Sequence, residues 1–80
     1  MAFKHWLKNK RLSKGLTQKT ISKEIGISEV SFCNFENGIK VPGVSSIKKL
    51  SDYFGTRTET IYRLVQFQNK TTSSKEKGNK

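Results

Sequence analysis

Apolar residues recur every three or four positions along most of this chain, which is the period of a helix with one buried face. In the first such segment, Phe3, Trp6 and Leu7 share a face, and basic residues surround them. Lys14 and Gly15 then supply a stop signal, because glycine readily ends a helix. No stretch shows the strict alternation that is typical of a strand, so the pattern predicts helices only.

Residues 16–38 predict two short helices joined by a glycine turn. Thr17 stands where its hydroxyl can accept hydrogen bonds from the first turn of one helix, and Gly26 stands where this helix must stop. Ser28 can cap the next helix in the same way, and Asn37-Gly38 readily closes it. Two capped helices around a tight turn are the layout of a helix-turn-helix.

Two more helices are predicted after a loop that ends at Pro42-Gly43. The apolar residues of the fourth helix recur at three, three and four positions up to Gly55: Val44, Ile47, Leu50 and Phe54. Thr56-Arg57-Thr58-Glu59 has the form of a capping box, in which the threonine hydroxyl and the glutamate carboxylate satisfy each other's backbone amides. The fifth helix is therefore predicted to begin after Thr56 and to run to about Phe67.

The prediction is one all-α domain, a bundle of five short helices over residues 1–68. Its core is expected to contain the apolar residues of the inner faces: Phe3, Leu7, Leu16, Ile21, Ile25, Ile27, Phe32, Phe35, Val44, Ile47, Leu50, Phe54, Ile61 and Leu64. From Asn69 onward no apolar residue remains. Such a segment cannot offset its own ordering entropy, so residues 69–80 are predicted to form a disordered basic tail.

The charge balance narrows the class of partner. Sixteen Lys and Arg residues against six Asp and Glu residues give a net charge of +10. This balance implies an anionic partner. Nucleic acid is the leading candidate, and a membrane surface is the alternative. No apolar run approaches the roughly 20 residues that span a bilayer. The start of the chain also lacks a secretory signal, so we expect a cytoplasmic protein.

Candidate catalytic and metal-binding groups are scarce. Cys33 is the only cysteine and His5 is the only histidine. A single cysteine excludes an internal disulfide and fits a reducing compartment. The sequence therefore predicts no enzyme, no bound metal and no cofactor. For Cys33 we prefer a small, half-buried side chain over a redox switch, since no basic neighbour within a turn activates its thiol.

With these motifs the chain resembles the phage-repressor and Cro-like helix-turn-helix family, the XRE-type, lambda-repressor-like DNA-binding domains. The resemblance covers roughly residues 3–65. It rests on Arg11, Gly15-Leu16-Thr17-Gln18, Gly26-Ile27-Ser28, Asn34-Phe35-Glu36-Asn37-Gly38, Pro42, and the series Ile47, Leu50 and Phe54-Gly55. Together these residues are far more specific than any one of them.

The resemblance implies a distribution of roles. Thr17 and Gln18 would bind a DNA phosphate at the start of the second helix, and residues 28–34 would face the major groove. Arg11 and Glu36 occupy positions that commonly form a structural ion pair in the family. Three residues depart from the usual family pattern: Lys10, Ser22 and Phe32.

Base reading is predicted on the outer face of the third helix. Asn34 can pair with N6 and N7 of adenine, Val30 can pack on a thymine methyl group, and Ser28 can donate or accept a hydrogen bond. Glu29 has two interpretations. Its carboxylate either accepts a hydrogen bond from cytosine N4 or only favours the positive end of the helix dipole.

Phosphate contacts are predicted at the start of the second helix and around the third. Gln18 would add a hydrogen bond that fixes register without reading sequence. Lys19 and Lys40 are either phosphate contacts or ordinary solvated surface. The full predicted set is Arg11, Thr17, Gln18, Lys19, Ser31, Asn37 and Lys40.

The predicted function is sequence-specific binding of double-stranded DNA by a transcriptional regulator. We expect a repressor of a phage, plasmid or mobile element that reads the major groove with residues 28–37. One helix-turn-helix reads one half-site, so a homodimer on a palindromic operator is expected, with the fifth helix as the contact. Two alternatives stay open: an antitoxin-like module that binds a protein partner as well as DNA, and a nonspecific nucleic-acid binder.

Overall fold

The computed structural model describes residues 2–67, which form five helices and no strand. The first four helices are α1 (Phe3–Ser13), α2 (Gln18–Ile25), α3 (Glu29–Glu36) and α4 (Val44–Phe54). The fifth, α5, covers residues 58–67 and reaches the end of the described part. The all-α prediction is therefore confirmed, whereas the predicted tail at residues 69–80 lies outside the described residues.

Side-chain caps and a glycine set the limits of α2 and α3. The hydroxyl of Thr17 accepts from the backbone N–H of Thr20 at 3.2 Å, and the hydroxyl of Ser28 accepts from that of Ser31 at 3.1 Å. Gly26 has φ of 91°, a left-handed conformation that suits glycine because it has no Cβ. The predicted caps and turn of the helix-turn-helix are confirmed.

The predicted start of α5 is wrong by one residue. The carbonyl of Arg57 accepts from the N–H groups of Thr60 and Ile61, so Arg57 and not Thr56 is the capping residue. Thr56 instead forms hydrogen bonds with a residue of α4. Its N–H donates to the carbonyl of Ser51 at 3.1 Å, and the Ser51 hydroxyl donates to its carbonyl. Thr56 therefore belongs to the end of α4 and is not available as a cap for α5.

One hydrophobic core joins all five helices. Its buried members are Phe3, Leu7, Ile21, Ile25, Phe32, Phe35, Ile47, Leu50, Ile61 and Val65, and its partly buried members are Trp6, Leu16, Ile27, Tyr53, Phe54 and Leu64. Val44 was predicted in the core but is 71% exposed. It stands in the first turn of α4, ahead of the buried stretch that begins at Ile47. Val65 was not predicted and is buried.

A chain of aromatic rings fixes α1 between α3 and α4. Phe35 lies 6.3 Å from Phe3, Phe3 lies 5.9 Å from Trp6, and Trp6 lies 5.5 Å from Phe54, measured between ring centroids. The Phe3–Phe35 and Trp6–Phe54 pairs have edge-to-face geometry, which aromatic rings favour. This packing holds the inner face of α3 and leaves its other face to the surface.

Tyr53 links α4 to α2 and carries a pH-dependent contribution to stability. Its hydroxyl donates to the carboxylate of Glu24. This hydrogen bond, then burial and the negative charge of Glu24, raise the pKa of Tyr53 above its ordinary value of 10.0. A raised pKa means that the folded state holds the phenolic proton more tightly than the unfolded state does. The stabilisation that this hydrogen bond gives the fold is therefore complete below pH 10, and it is lost as pH rises through the pKa that Tyr53 has in the folded state.

We therefore expect the phenol of Tyr53 to titrate above pH 10 in the folded protein. The difference in phenolate absorbance between wild type and Tyr53→Phe isolates this titration. In a Glu24→Gln background the same difference should shift to lower pH, because the carboxylate acceptor is gone. Identical midpoints in the two backgrounds would contradict the assigned cause.

Candidate nucleic-acid interface

The helix α3 has one buried and one accessible face. Phe32, Phe35 and Glu36 are buried, whereas Val30 is 71% exposed. We call the accessible side the outer face of α3; it consists of Glu29, Val30, Cys33 and Asn34. The sequence predicted three of these four residues as base-reading groups, and the structure brings them together on one surface.

A shallow depression lies at the outer face of α3, against the start of α2. It is lined by Gln18, Glu29, Val30, Cys33 and Asn34. A predicted phosphate contact, Gln18, therefore adjoins three predicted base-reading residues. The depression combines amide, carboxylate and apolar groups, which are the side-chain types that read base edges.

Asn34 and Ser28 differ in whether their side chains already form hydrogen bonds within the protein. The backbone carbonyl of Asn34 accepts from the N–H groups of Ile39 at 2.9 Å and Lys40 at 3.3 Å, but its side-chain amide has no hydrogen-bond partner among residues 2–67. The hydroxyl of Ser28 is already used, because it caps α3 and is hydrogen bonded to the Ser31 hydroxyl at 2.9 Å. Asn34 is thus the better equipped of the two for a bidentate contact.

The start of α2 presents unused backbone donors. Thr17 caps the N–H of Thr20, whereas the N–H groups of Gln18 and Lys19 have no acceptor within the described residues. These donors lie at the positive end of the helix dipole, where anions are favoured. Lys19 is exposed beside them. The arrangement suits a phosphate group.

Arg11, Glu36 and Gln18 form a network behind this surface. Arg11 Nε donates to Glu36 Oε2 at 2.7 Å, Arg11 Nη2 to Glu36 Oε1 at 3.3 Å, and Gln18 Nε2 to Glu36 Oε1 at 2.9 Å. The side chains of Arg11 and Glu36 are 14% and 3% exposed. The ion pair implied by the family resemblance is present. It uses the Arg11 guanidinium inside the fold and leaves little of it for the predicted phosphate contact.

Comparison with known proteins identifies the family of this fold. A sequence model of the helix-turn-helix family matches residues 7–61, which include α2, the turn and α3. The chain belongs to this helix-turn-helix family.

One relative of this helix-turn-helix protein is the uncharacterized HTH-type transcriptional regulator YqaF of Bacillus subtilis (strain 168). The two are 38% identical over 50 residues, a segment that covers 62% of this chain and 66% of the relative. The chain therefore matches just under two thirds of that protein's length. No solved structure matches the chain at a significant level.

Two contacts that involve α2 or the turn after it were not predicted from sequence. Gln18 bonds to Glu36, and Lys49 Nζ of α4 donates to the carbonyl of Gly26 at 3.0 Å, at the turn between α2 and α3. Both join residues about 20 positions apart, and a local pattern carries no signal for such pairs. Each contact fixes the position of α2 in relation to another helix.

The remaining predicted phosphate contacts lie around the ends of α3. Lys40 is exposed and has no ion pair among the described residues, and Ser31 is half-buried in the first turn. The side-chain amide of Asn37 donates to Cys33 Sγ at 3.2 Å. Cys33 is half-buried, as its preferred interpretation predicted.

Within residues 2–67, no group of three His, Cys, Asp or Glu side chains is placed to hold a metal ion. None of the helices in that part of the chain combines the length and the apolar character that crossing a membrane requires.

Proposed function

We propose that this protein is a sequence-specific, double-stranded DNA-binding transcriptional regulator that reads the major groove with α3. The observation that carries the proposal is the outer face of α3, where the unpaired amide of Asn34 and the exposed Val30 adjoin Gln18 at the start of α2. Membership of the helix-turn-helix family and a relative named as a transcriptional regulator support it. The resemblance to phage repressors favours a repressor of a phage, plasmid or mobile element.

Phosphate contacts would position the protein on the duplex. The unused N–H groups of Gln18 and Lys19 would donate to one phosphate. Glu36 holds the side chain of Gln18 through one N–H group of its amide and leaves the other available to the same phosphate. Such contacts fix orientation and register but do not distinguish one base from another.

Base contacts would then come from α3. Asn34 has both a donor and an acceptor on its side chain, which match N7 and N6 of adenine in the major groove. Val30 presents a branched apolar surface that suits a thymine methyl group. Adenine and thymine contacts from residues four apart on one helix give a short sequence preference per half-site.

Two copies would bind one operator. A single recognition helix covers few base pairs, and helix-turn-helix dimers place their half-sites about 34–36 Å apart, one turn of DNA. On α5, Tyr62 is 39% and Phe67 is 54% exposed, and these aromatic surfaces suit contact with a second copy. We therefore propose a homodimer on a palindromic operator.

Selection of bound duplexes from a random DNA library tests the proposed function without knowledge of the operator. The selection is run at near-physiological salt, and the bound DNA is sequenced. An enriched inverted repeat is the expected result. Salt-sensitive binding without any enriched sequence would overturn the proposal, because charge alone then accounts for the affinity.

Asn34→Ala should reduce sequence preference. We expect about a tenfold loss of affinity for the enriched duplex, since a bidentate contact contributes about 1–3 kcal/mol of discrimination. Affinity for a scrambled duplex should not change, because phosphate contacts remain. Asn9→Ala, at an exposed position of α1, is the matched control. Equal losses on both duplexes would show that Asn34 does not read a base.

A further inference from the structure

Glu29 is the carboxylate on the outer face of α3. It is exposed in the first turn and lines the depression together with Gln18, Val30 and Asn34. No hydrogen bond or ion pair within residues 2–67 involves its side chain. The capping position of α3 is already filled by Ser28, so the helix does not require Glu29 as a cap.

The other carboxylates of the described part are engaged or lie on other helices. Glu24 accepts from Tyr53, and Glu36 is buried against Arg11. Asp52 and Glu59 belong to α4 and α5. In a chain with net charge +10, Glu29 thus places a single negative charge on the surface proposed to meet DNA.

Few groups in the major groove of DNA can form a favourable contact with the negative charge of Glu29. An ionised carboxylate only accepts hydrogen bonds. Phosphate oxygens, guanine N7 and O6, adenine N7 and thymine O4 are also acceptors, so they repel it. The donors in the groove are the amino groups of cytosine N4 and adenine N6, and the Asn34 amide already matches adenine.

We infer that Glu29 determines specificity at one position of each half-site by accepting a hydrogen bond from cytosine N4. This inference rests on the proposed function and deepens it. The carboxylate acts in two ways. It stabilises the complex when a C·G pair faces it, and it destabilises complexes in which it faces an acceptor, including nonspecific complexes on phosphate.

The test is a set of parallel library selections with wild type, Glu29→Gln and Glu59→Gln. Both variants remove one negative charge from an exposed helical position, but Glu59 lies on α5. We expect a fixed C·G pair in the wild-type motif that becomes degenerate with Glu29→Gln and stays fixed with Glu59→Gln. Thermal unfolding followed by circular dichroism checks that both variants are folded.

Binding measurements on the selected duplex then give the size of the effect. Replacing that C·G pair with T·A should weaken wild-type binding about tenfold, the usual loss for one mismatched pair, and should change Glu29→Gln binding less than about twofold. Glu29→Gln should also bind a scrambled duplex more tightly than Glu59→Gln does.

Two outcomes would count against the inference, and they differ. A motif that keeps the same fixed pair with Glu29→Gln would overturn the role of Glu29 and leave the proposed function intact. The absence of any motif with the wild-type protein would overturn the proposed function itself, and the inference with it.

Discussion

Replacing Arg11 with alanine is expected to lower the free energy of unfolding by about 3 kcal/mol, because it leaves a buried carboxylate without its cationic partner. Glu36 is 3% exposed and accepts two hydrogen bonds from Arg11 and one from Gln18. The variant retains only the bond from Gln18. Arg11 Nη1 also donates to the carbonyl of Leu16 at 2.9 Å, and that bond is lost as well.

Urea unfolding measures the Arg11→Ala effect, with Arg63→Ala as the control. Arg63 is an exposed arginine on α5, and its replacement should change the free energy of unfolding by less than about 0.5 kcal/mol. DNA affinity should also fall for Arg11→Ala, since the network orients Gln18. A similar small change in stability for both variants would show that the Arg11–Glu36 pair is not a structural element.

Phe32→Ala is expected to be the most destabilising of these substitutions, with a loss of about 3–5 kcal/mol. Phe32 is fully buried on the inner face of α3, and alanine would leave a cavity in the core that residues 2–67 form. A domain of this size has little stability to spare, so we expect a large unfolded fraction at 25 °C.

Circular dichroism and thermal unfolding of Phe32→Ala test this expectation. Leu12→Ala is the control, because Leu12 is 54% exposed on α1 and its side chain contributes little to the core. Phe32→Leu, which retains most of the apolar volume, should recover much of the lost stability. A folded, cooperatively unfolding Phe32→Ala protein with wild-type stability would mean that the core repacks around the missing ring.

Features set by neighbouring residues could be predicted from the sequence. The caps at Thr17 and Ser28 and the stop at Gly26 depend on interactions over three or four residues, so local spacing predicts them. The prediction for the start of α5 was wrong for a reason that is also local. Thr56 is a plausible cap for α5, but its backbone is already hydrogen bonded to Ser51 near the end of α4. Two local motifs competed for one residue.

Features that depend on packing between distant helices could not be predicted. Periodicity placed Val44 on the same helical face as Ile47 but did not show that the core ends between them. Val65 is buried because α5 folds back over the core, which the sequence pattern of α5 does not reveal. The contact between Gln18 and Glu36 spans 18 positions and depends on how α2 packs against α3.

For the candidate site, the sequence could predict the residue types and the helical face on which each lies. It could not predict which of their side chains are already hydrogen bonded within the protein. Asn34 and Ser28 have comparable hydrogen-bonding chemistry in the sequence, yet Ser28 is occupied by its capping role and Asn34 is not. Arg11 likewise has the charge for a phosphate contact, but its guanidinium is directed to Glu36. Such choices follow from the three-dimensional positions of the possible partners.

The separation between the outer face of α3 and the groups that hold α3 in place has an evolutionary consequence. Val30 and Glu29 are exposed and contribute little to the fold, whereas Phe32, Phe35 and Glu36 carry its packing and its ion pair. Mutations at the outer face therefore meet little selection for stability. Single substitutions at these positions can therefore change the surface proposed to contact DNA, and each intermediate along that path remains a folded protein.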